Sequence, residues 1–454
     1  VRAHHHWAAV AALWSIPLVI VWMYAGGPGG MDTAQLIVSS LALVFGAWAF
    51  WQHGGRQITA AGVFSMSSAI FVGYAGLYWW SQAGVVDATM VAATSACYFT
   101  HVLLYCGFWR RHGLAIRQEA TPAADPAILR GGAVTGAALA LIGAAAAAGG
   151  VGPPILAGSV SFVGVTLLCV CVFNLPHAPG GTPGLRRILL VVGAFGLYAH
   201  YVFGGFGRLV LASLAFCIVA AACVHVKGRG AKALVLAATA PALWVLVQAR
   251  EALGRTMYGE TGLDGLGSIT APLHLFARML AEGDDLPRAY GSTFWAALVT
   301  QVPRELWASK PPGLGLVLAE HFAPQLASIG GTLAPLSAGE WFYNFGLLGV
   351  ALMIPVLGLA IRLADTWLIR VVRRPLQTRT RLLSLTAAII TAGGIGDLLW
   401  GGTHTYNGRT GTRLLVLLAM ALTWARLRTR EPGTPGHGAP TDGRRWRAGL
   451  RHGR

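Results

Sequence analysis

Residues 155–173 read ILAGSVSFVGVTLLCVCVF, a stretch without a charged residue. At about 1.5 Å of rise per residue, a helix of this length reaches across most of the roughly 30 Å hydrocarbon core of a bilayer. The segment is therefore expected to span a membrane. Cutting the rest of the chain wherever an apolar run of similar length meets charge, glycine or proline gives about twelve spans in all. They cover 7–25, 34–52, 62–80, 88–109, 132–149, 155–173, 188–203, 205–226, 233–248, 341–363, 382–400 and 412–427. The close pair around Gly204 also reads as one broken helix plus a shorter one.

Composition extends the same reading to the whole chain. Of 454 residues, 55% are hydrophobic and only 11% are Asp, Glu, Lys or Arg, against roughly 25% charge in ordinary soluble domains. The mean hydropathy is +0.59. So little charge cannot cover a water-soluble globule of this size, which excludes a soluble multidomain protein and a largely disordered one. The expected fold is an all-α polytopic membrane protein of about twelve transmembrane helices, with one large outer loop carrying short helices. Its expected parts are helices 1–9 over residues 1–250, an extracytoplasmic loop over 251–340, helices 10–12 over 341–428, and a tail over 429–454. The first run is long enough to span and lacks a small-residue cleavage site, so a span is expected there rather than a cleaved leader. The six cysteines sit inside apolar runs and read as reduced packing residues.

Charge tests this partition independently of hydropathy. Arg56, the group Arg110, Arg111, Arg117 and Arg130, the pair Arg186 and Arg187, the group Lys227, Arg229 and Lys232, and the arginines from Arg362 to Arg381 fall in alternate connections. With Arg2 and the tail arginines they place most of the 34 basic residues on one side. By the positive-inside rule both termini are expected in the cytoplasm, with an even number of spans. The tail, rich in Gly, Pro and Arg, is expected to be disordered and drawn to anionic lipid.

Only one connection is long, from about residue 249 to Glu340, and by the charge count it lies outside the cytoplasmic membrane. A polytopic protein that gathers its outer polar groups in one loop is expected to place its chemistry there. A plain solvated connector is the alternative, and the length argues against it. Within the loop, 273–280 and 294–302 read as short helices on the membrane surface. Residues 301–311, QVPRELWASKP, set Arg304 and Lys310 between stiffening prolines, beside an interfacial Trp307. Such a unit suits a polyanion such as pyrophosphate, with bidentate hydrogen bonds from arginine and a mobile point charge from lysine. Contact with lipid phosphates is the plainer reading. Residues 337–349, SAGEWFYNFGLLG, carry Glu340 into the next span beside Tyr343 and Asn344. Glu340 is either an acid favoured by the dipole at a helix start or a carboxylate that accepts a proton from a sugar hydroxyl. Arg208, in GGFGRLV (204–210), is a cation inside a span, where function is the default and snorkelling to the headgroups the alternative.

Taken in order, GGFGR ending at Arg208, YGST at 290–293, VPRELWASKP and GEWFYNFG resemble the bacterial oligosaccharide repeat-unit polymerases, the O-antigen or Wzy-type polymerase family. The resemblance covers roughly Gly204 to Gly349, and the earlier spans match only as generic membrane helices. Where the family commonly has a proline after the tryptophan, this chain has Ala308 and Ser309. The resemblance implies a multispanning glycosyltransferase of the bacterial cytoplasmic membrane. It would join repeat units carried on undecaprenyl pyrophosphate, moving the growing chain onto the non-reducing end of the next lipid-linked unit at the outer face.

Neither nucleotide sugar, metal nor other cofactor is implied. The implied partners are the lipid-linked oligosaccharides, membrane lipids, a chain-length regulator and a flippase, with no nucleic acid. On this reading Arg304 and Arg208, with Lys310 and Arg278 or Arg409, neutralise the pyrophosphate leaving group. Glu340 is the base on the acceptor hydroxyl, with His274 or His404 as the alternative. An O-antigen ligase is the nearest competing reading. A flippase is the competitor from another class, and the lack of an internal repeat between the two halves argues against it.

Overall fold

The computed structural model describes residues 27–82, 85–110, 124–175, 184–203, 208–224, 229–252 and 267–429. The expected span at 7–25 and the tail from residue 430 lie outside them. All regular structure among the described residues is helical. The first five helices are α1 (Gly27–Gln52), α2 (Ala60–Ser81), α3 (Ala88–Trp109), α4 (Pro126–Ala148) and α5 (Pro154–Asn174). Three more helices follow, α6 (Leu185–Tyr201), α7 (Arg208–Cys223) and α8 (Gly230–Ala252). The long connection holds α9 (Gly267–Glu282), α10 (Ser292–Leu298), α11 (Leu314–Phe322) and α12 (Pro324–Ser328). After it come α13 (Leu336–Val372), α14 (Arg379–Gly393), α15 (Ile395–Tyr406), a π turn (Asn407–Gly411) and α16 (Thr412–Thr429).

Among the described residues, six helices, α1 to α5 and α13, are long and apolar enough to cross a membrane. The stretch expected as the eleventh span, 382–400, is not one helix. It bends by 82° at Gly394, and with the bent pair counted as a single crossing the helices of spanning length number up to seven. A glycine pair, Gly393 and Gly394, sits at the bend, as sharp helix kinks require.

Small residues let the backbones meet. α4 lies along α5, and an added Cβ at Gly143 would fall 2.4 Å from the Ser161 nitrogen, one at Gly164 2.3 Å from the Ala140 nitrogen. Small residues at the seam, rather than bulky apolar ones, are the expected means of packing where lipid removes the hydrophobic drive between helices. α2 and α5 are the most enclosed of the long helices, and α4 is the most open.

At the end of the bundle away from the long connection, two charges read from sequence as loop residues are interior. Lys232 on α8 is fully buried. It donates to the Phe50 carbonyl at 2.8 Å and also to the His53 carbonyl, so the ammonium closes the C-terminal end of α1. Asp365 on α13 accepts from the backbone N–H of Ala60 at 2.5 Å and of Ala61 at 3.2 Å, capping α2. The hydropathy cut failed at these two positions because each charge answers a helix end, which a linear reading cannot see.

Candidate functional site

Two helix breaks build the candidate site. α13 leaves helical geometry at Phe345 (φ −140°, ψ 15°) and Gly346 (φ 64°, ψ −150°). The second is a conformation that glycine takes without strain. A break orphans the carbonyls of the turn before it, and the long connection supplies the donors. Arg288 Nη1 donates to the Phe342 carbonyl at 3.2 Å. The N–H groups of Ala289 and Tyr290 donate to the carbonyls of Tyr343 and Asn344 at 3.1 and 3.2 Å. Asn344 completes the seam, its Nδ2 donating to Thr293 Oγ1 at 2.6 Å and its Oδ1 accepting from the Gly291 N–H at 2.8 Å. The YGST and GEWFYNFG stretches are thus one docked unit. Asn344 and Tyr343 are both buried in it.

Replacing Asn344 with alanine would leave the Gly291 N–H without its acceptor. A loss of about 0.5–1.5 kcal/mol is expected for a partly buried hydrogen bond, read as a lower melting temperature in detergent and faster proteolysis near residues 288–293. An unchanged melting curve would remove the seam's importance.

The second break is at Gly402 in α15 (φ 75°, ψ −170°). It frees the Thr403 N–H, and Glu340 takes it, with Oε2 accepting at 2.6 Å. A carboxylate is also the group that the positive end of the resumed helix favours. Glu340 is 1% exposed, and its Oε1 has no hydrogen-bond partner. A side chain at Gly402 would reach within 2.5 Å of Oε2, so only glycine fits against the carboxylate. Sequence places Glu340 at an open membrane face. It is enclosed instead, because α13 already begins at Leu336 and the broken α15 crosses over it.

His404 comes next along the same backbone. Its Nε2 lies within hydrogen-bonding distance, 3.2 Å, of Thr300 Oγ1. The Thr300 carbonyl in turn accepts from Lys310 Nζ at 3.2 Å, and the Val302 carbonyl accepts from it at 2.8 Å. An ammonium has three donors, so one remains for a ligand. Arg304 is exposed and Nη1 donates to the Lys310 carbonyl at 3.2 Å. Arg304, Lys310, His404 and Glu340 are therefore linked through Thr300 and Thr403. The imidazole lies over Gly313, where a Cβ would meet three ring atoms at 2.5 to 2.7 Å. Gln301 and Asn407 tie the same loop to the π turn, Gln301 Nε2 donating to the Asn407 carbonyl and Asn407 Nδ2 to the Ala297 carbonyl, both at 2.6 Å.

The other candidates stand apart from this group. His274 on α9 stacks against Trp79 at 4.6 Å between ring centres. Burial, with the charge of Arg278 adding to it, holds its pKa below the usual histidine value. Arg278 itself is exposed, its guanidinium 4.8 Å from the Phe322 ring centre. Among the described residues, no hydrogen bond joins either of them to the group around His404. Arg409, in the π turn, pairs with Asp397 at 2.5 Å. Arg208 opens α7, and its side chain lies outside the described residues. Asp284 pairs with Arg288 at 3.2 Å, and among the described residues no cluster of His, Cys, Asp and Glu is arranged to hold a metal ion.

Sequence reasoning missed Asp397 and Arg413, both buried. Each lies inside a run counted as a span, and an ionisable residue in such a run was the available signal. Comparison of the chain with family models, with curated proteins and with solved structures found no match.

Proposed function

We propose that this chain is a multispanning glycosyltransferase that polymerises lipid-linked oligosaccharide repeat units at the outer face of the bacterial cytoplasmic membrane. The growing glycan moves from undecaprenyl pyrophosphate to the non-reducing end of the next unit. The observation that carries this reading is the linking of two cations, Arg304 and Lys310, to an imidazole, His404, at the loop end of the bundle. The motif order that resembles the repeat-unit polymerases supports it. Breaking a sugar–pyrophosphate bond needs positive charge on the leaving group and a base on the incoming hydroxyl. Arg304, exposed, and Lys310, with a donor to spare, meet the first need. His404 meets the second, being only half-buried, whereas Glu340 is enclosed. Glu340 on this reading is a positioning residue that holds the Gly402–Thr403 break and so aims His404.

The test is deletion of the gene in its native host, with lipid-linked glycans extracted and sized beside the surface polysaccharide. Single repeat units accumulating on lipid without long polymer are expected. Long polymer held on lipid would mean a ligase, and units trapped on the cytoplasmic face would mean a flippase.

A further inference from the structure

The π turn and the start of α16 carry a pair of arginines, Arg409 and Arg413, one helical turn apart. Arg413 is 2% exposed. Its guanidinium stacks on the Phe162 ring of α5, 3.6 Å from the ring centre, and Nη1 is enclosed with no hydrogen-bond partner. A guanidinium has five donors and keeps its charge in proteins. Buried without an acceptor, it is among the most costly groups an apolar interior can hold.

The chain's own acid answers it only in part, because Asp397 faces Arg413 with its charge but makes its hydrogen bond to Arg409. Asp397 gives Oδ1 to Arg409 at 2.5 Å, while its Oδ2 is enclosed and unpartnered. The other groups facing Arg413 are Tyr198 on α6 and Cys217 on α7, and the Thr410 hydroxyl nearby is also without a partner. Two fixed cations thus share one carboxylate, and donors are left over.

We infer that Arg413 and Arg409 form an anion subsite within the helix bundle that takes a phosphate-type group. Such a group supplies the missing negative charge and enough oxygens for two guanidinium forks at once. The subsite joins the loop group through the π turn, since Asn407 and Gln301 hold that turn to the loop bearing Lys310. Arg409, with a quarter of its side chain exposed, marks the way in. Two sources carry this chemistry, the pyrophosphate of a polyprenyl-linked substrate and the headgroup of a membrane phospholipid. Neither source requires that the chain polymerise glycans.

The experiment uses the purified full-length protein in detergent, with inorganic pyrophosphate as the probe in calorimetry and with retained phospholipid read by native mass spectrometry. Saturable pyrophosphate binding is expected, about tenfold or more weaker in Arg413→Gln, as for loss of a charge-assisted hydrogen bond. Asp397→Asn should bind more tightly, because it removes the anion that competes for Arg409. A phospholipid retained by the unmodified protein, displaced by pyrophosphate and missing from Arg413→Gln, would identify the headgroup as the source.

Folded Arg413→Gln protein that binds as the unmodified protein does would overturn the inference. So would unmodified protein that neither binds pyrophosphate nor retains lipid. Should Arg413→Gln fail to fold, Asp397→Asn decides alone, and binding no tighter than in the unmodified protein sinks the subsite. None of these readouts requires polymer synthesis, so failure of the subsite and failure of the proposed function are separate results.

Discussion

Arg304→Ala is expected to lower polymer formation by about 10²–10³-fold, the order seen when a single transition-state hydrogen-bond donor is removed. Protein level in the membrane should not change. The separation is possible because Arg304 is exposed and makes one hydrogen bond, to the Lys310 carbonyl. Losing an exposed contact of that kind costs little stability. Arg304→Lys keeps the charge but not the planar fork, so partial activity is expected if bidentate phosphate contact matters. The measurement is the length distribution of surface glycan in cells carrying each variant at matched protein level. Full-length polymer from Arg304→Ala would show that this cation is not at the reacting centre.

The second large effect concerns His404 and Glu340 together. His404→Asn should reduce polymer by about 10²–10⁴-fold, the usual contribution of a positioned general base. Glu340→Gln should keep most activity, since the amide oxygen can still accept from the Thr403 N–H. Glu340→Ala should lose both activity and melting temperature, because it removes the acceptor of the partly buried Thr403 N–H, a charge-assisted hydrogen bond of about 1.5–3 kcal/mol. Rescue by glutamine therefore separates positioning from proton transfer. If Glu340→Gln is as inactive as His404→Asn while melting normally, the carboxylate itself moves the proton and the two residues exchange roles.

Gly313 offers a check on the same geometry that leaves every polar group in place. An alanine there would press its Cβ into the imidazole of His404, so a loss of activity with intact protein would tie function to the ring's position. Normal activity would mean that the ring can shift without consequence.

Hydropathy and charge alone were enough to read an all-helical chain with helices of spanning length, and to mark 301–311 and 337–349 as the stretches worth following. Those properties are summed along the chain, so a window of residues carries them. Most helix positions follow, since residues 88–109 and 155–173 become α3 and α5 almost as cut. Tertiary structure alone decided the rest. That Lys232 and Asp365 are interior, that Glu340 caps a break at Gly402, and that Asn344 receives Gly291 all depend on backbone groups orphaned at helix ends and kinks. An orphaned N–H or carbonyl takes a partner from wherever the fold brings one, across 63 positions in the case of Glu340 and Thr403. Composition cannot register such a demand, because it arises only once the helices have formed and broken.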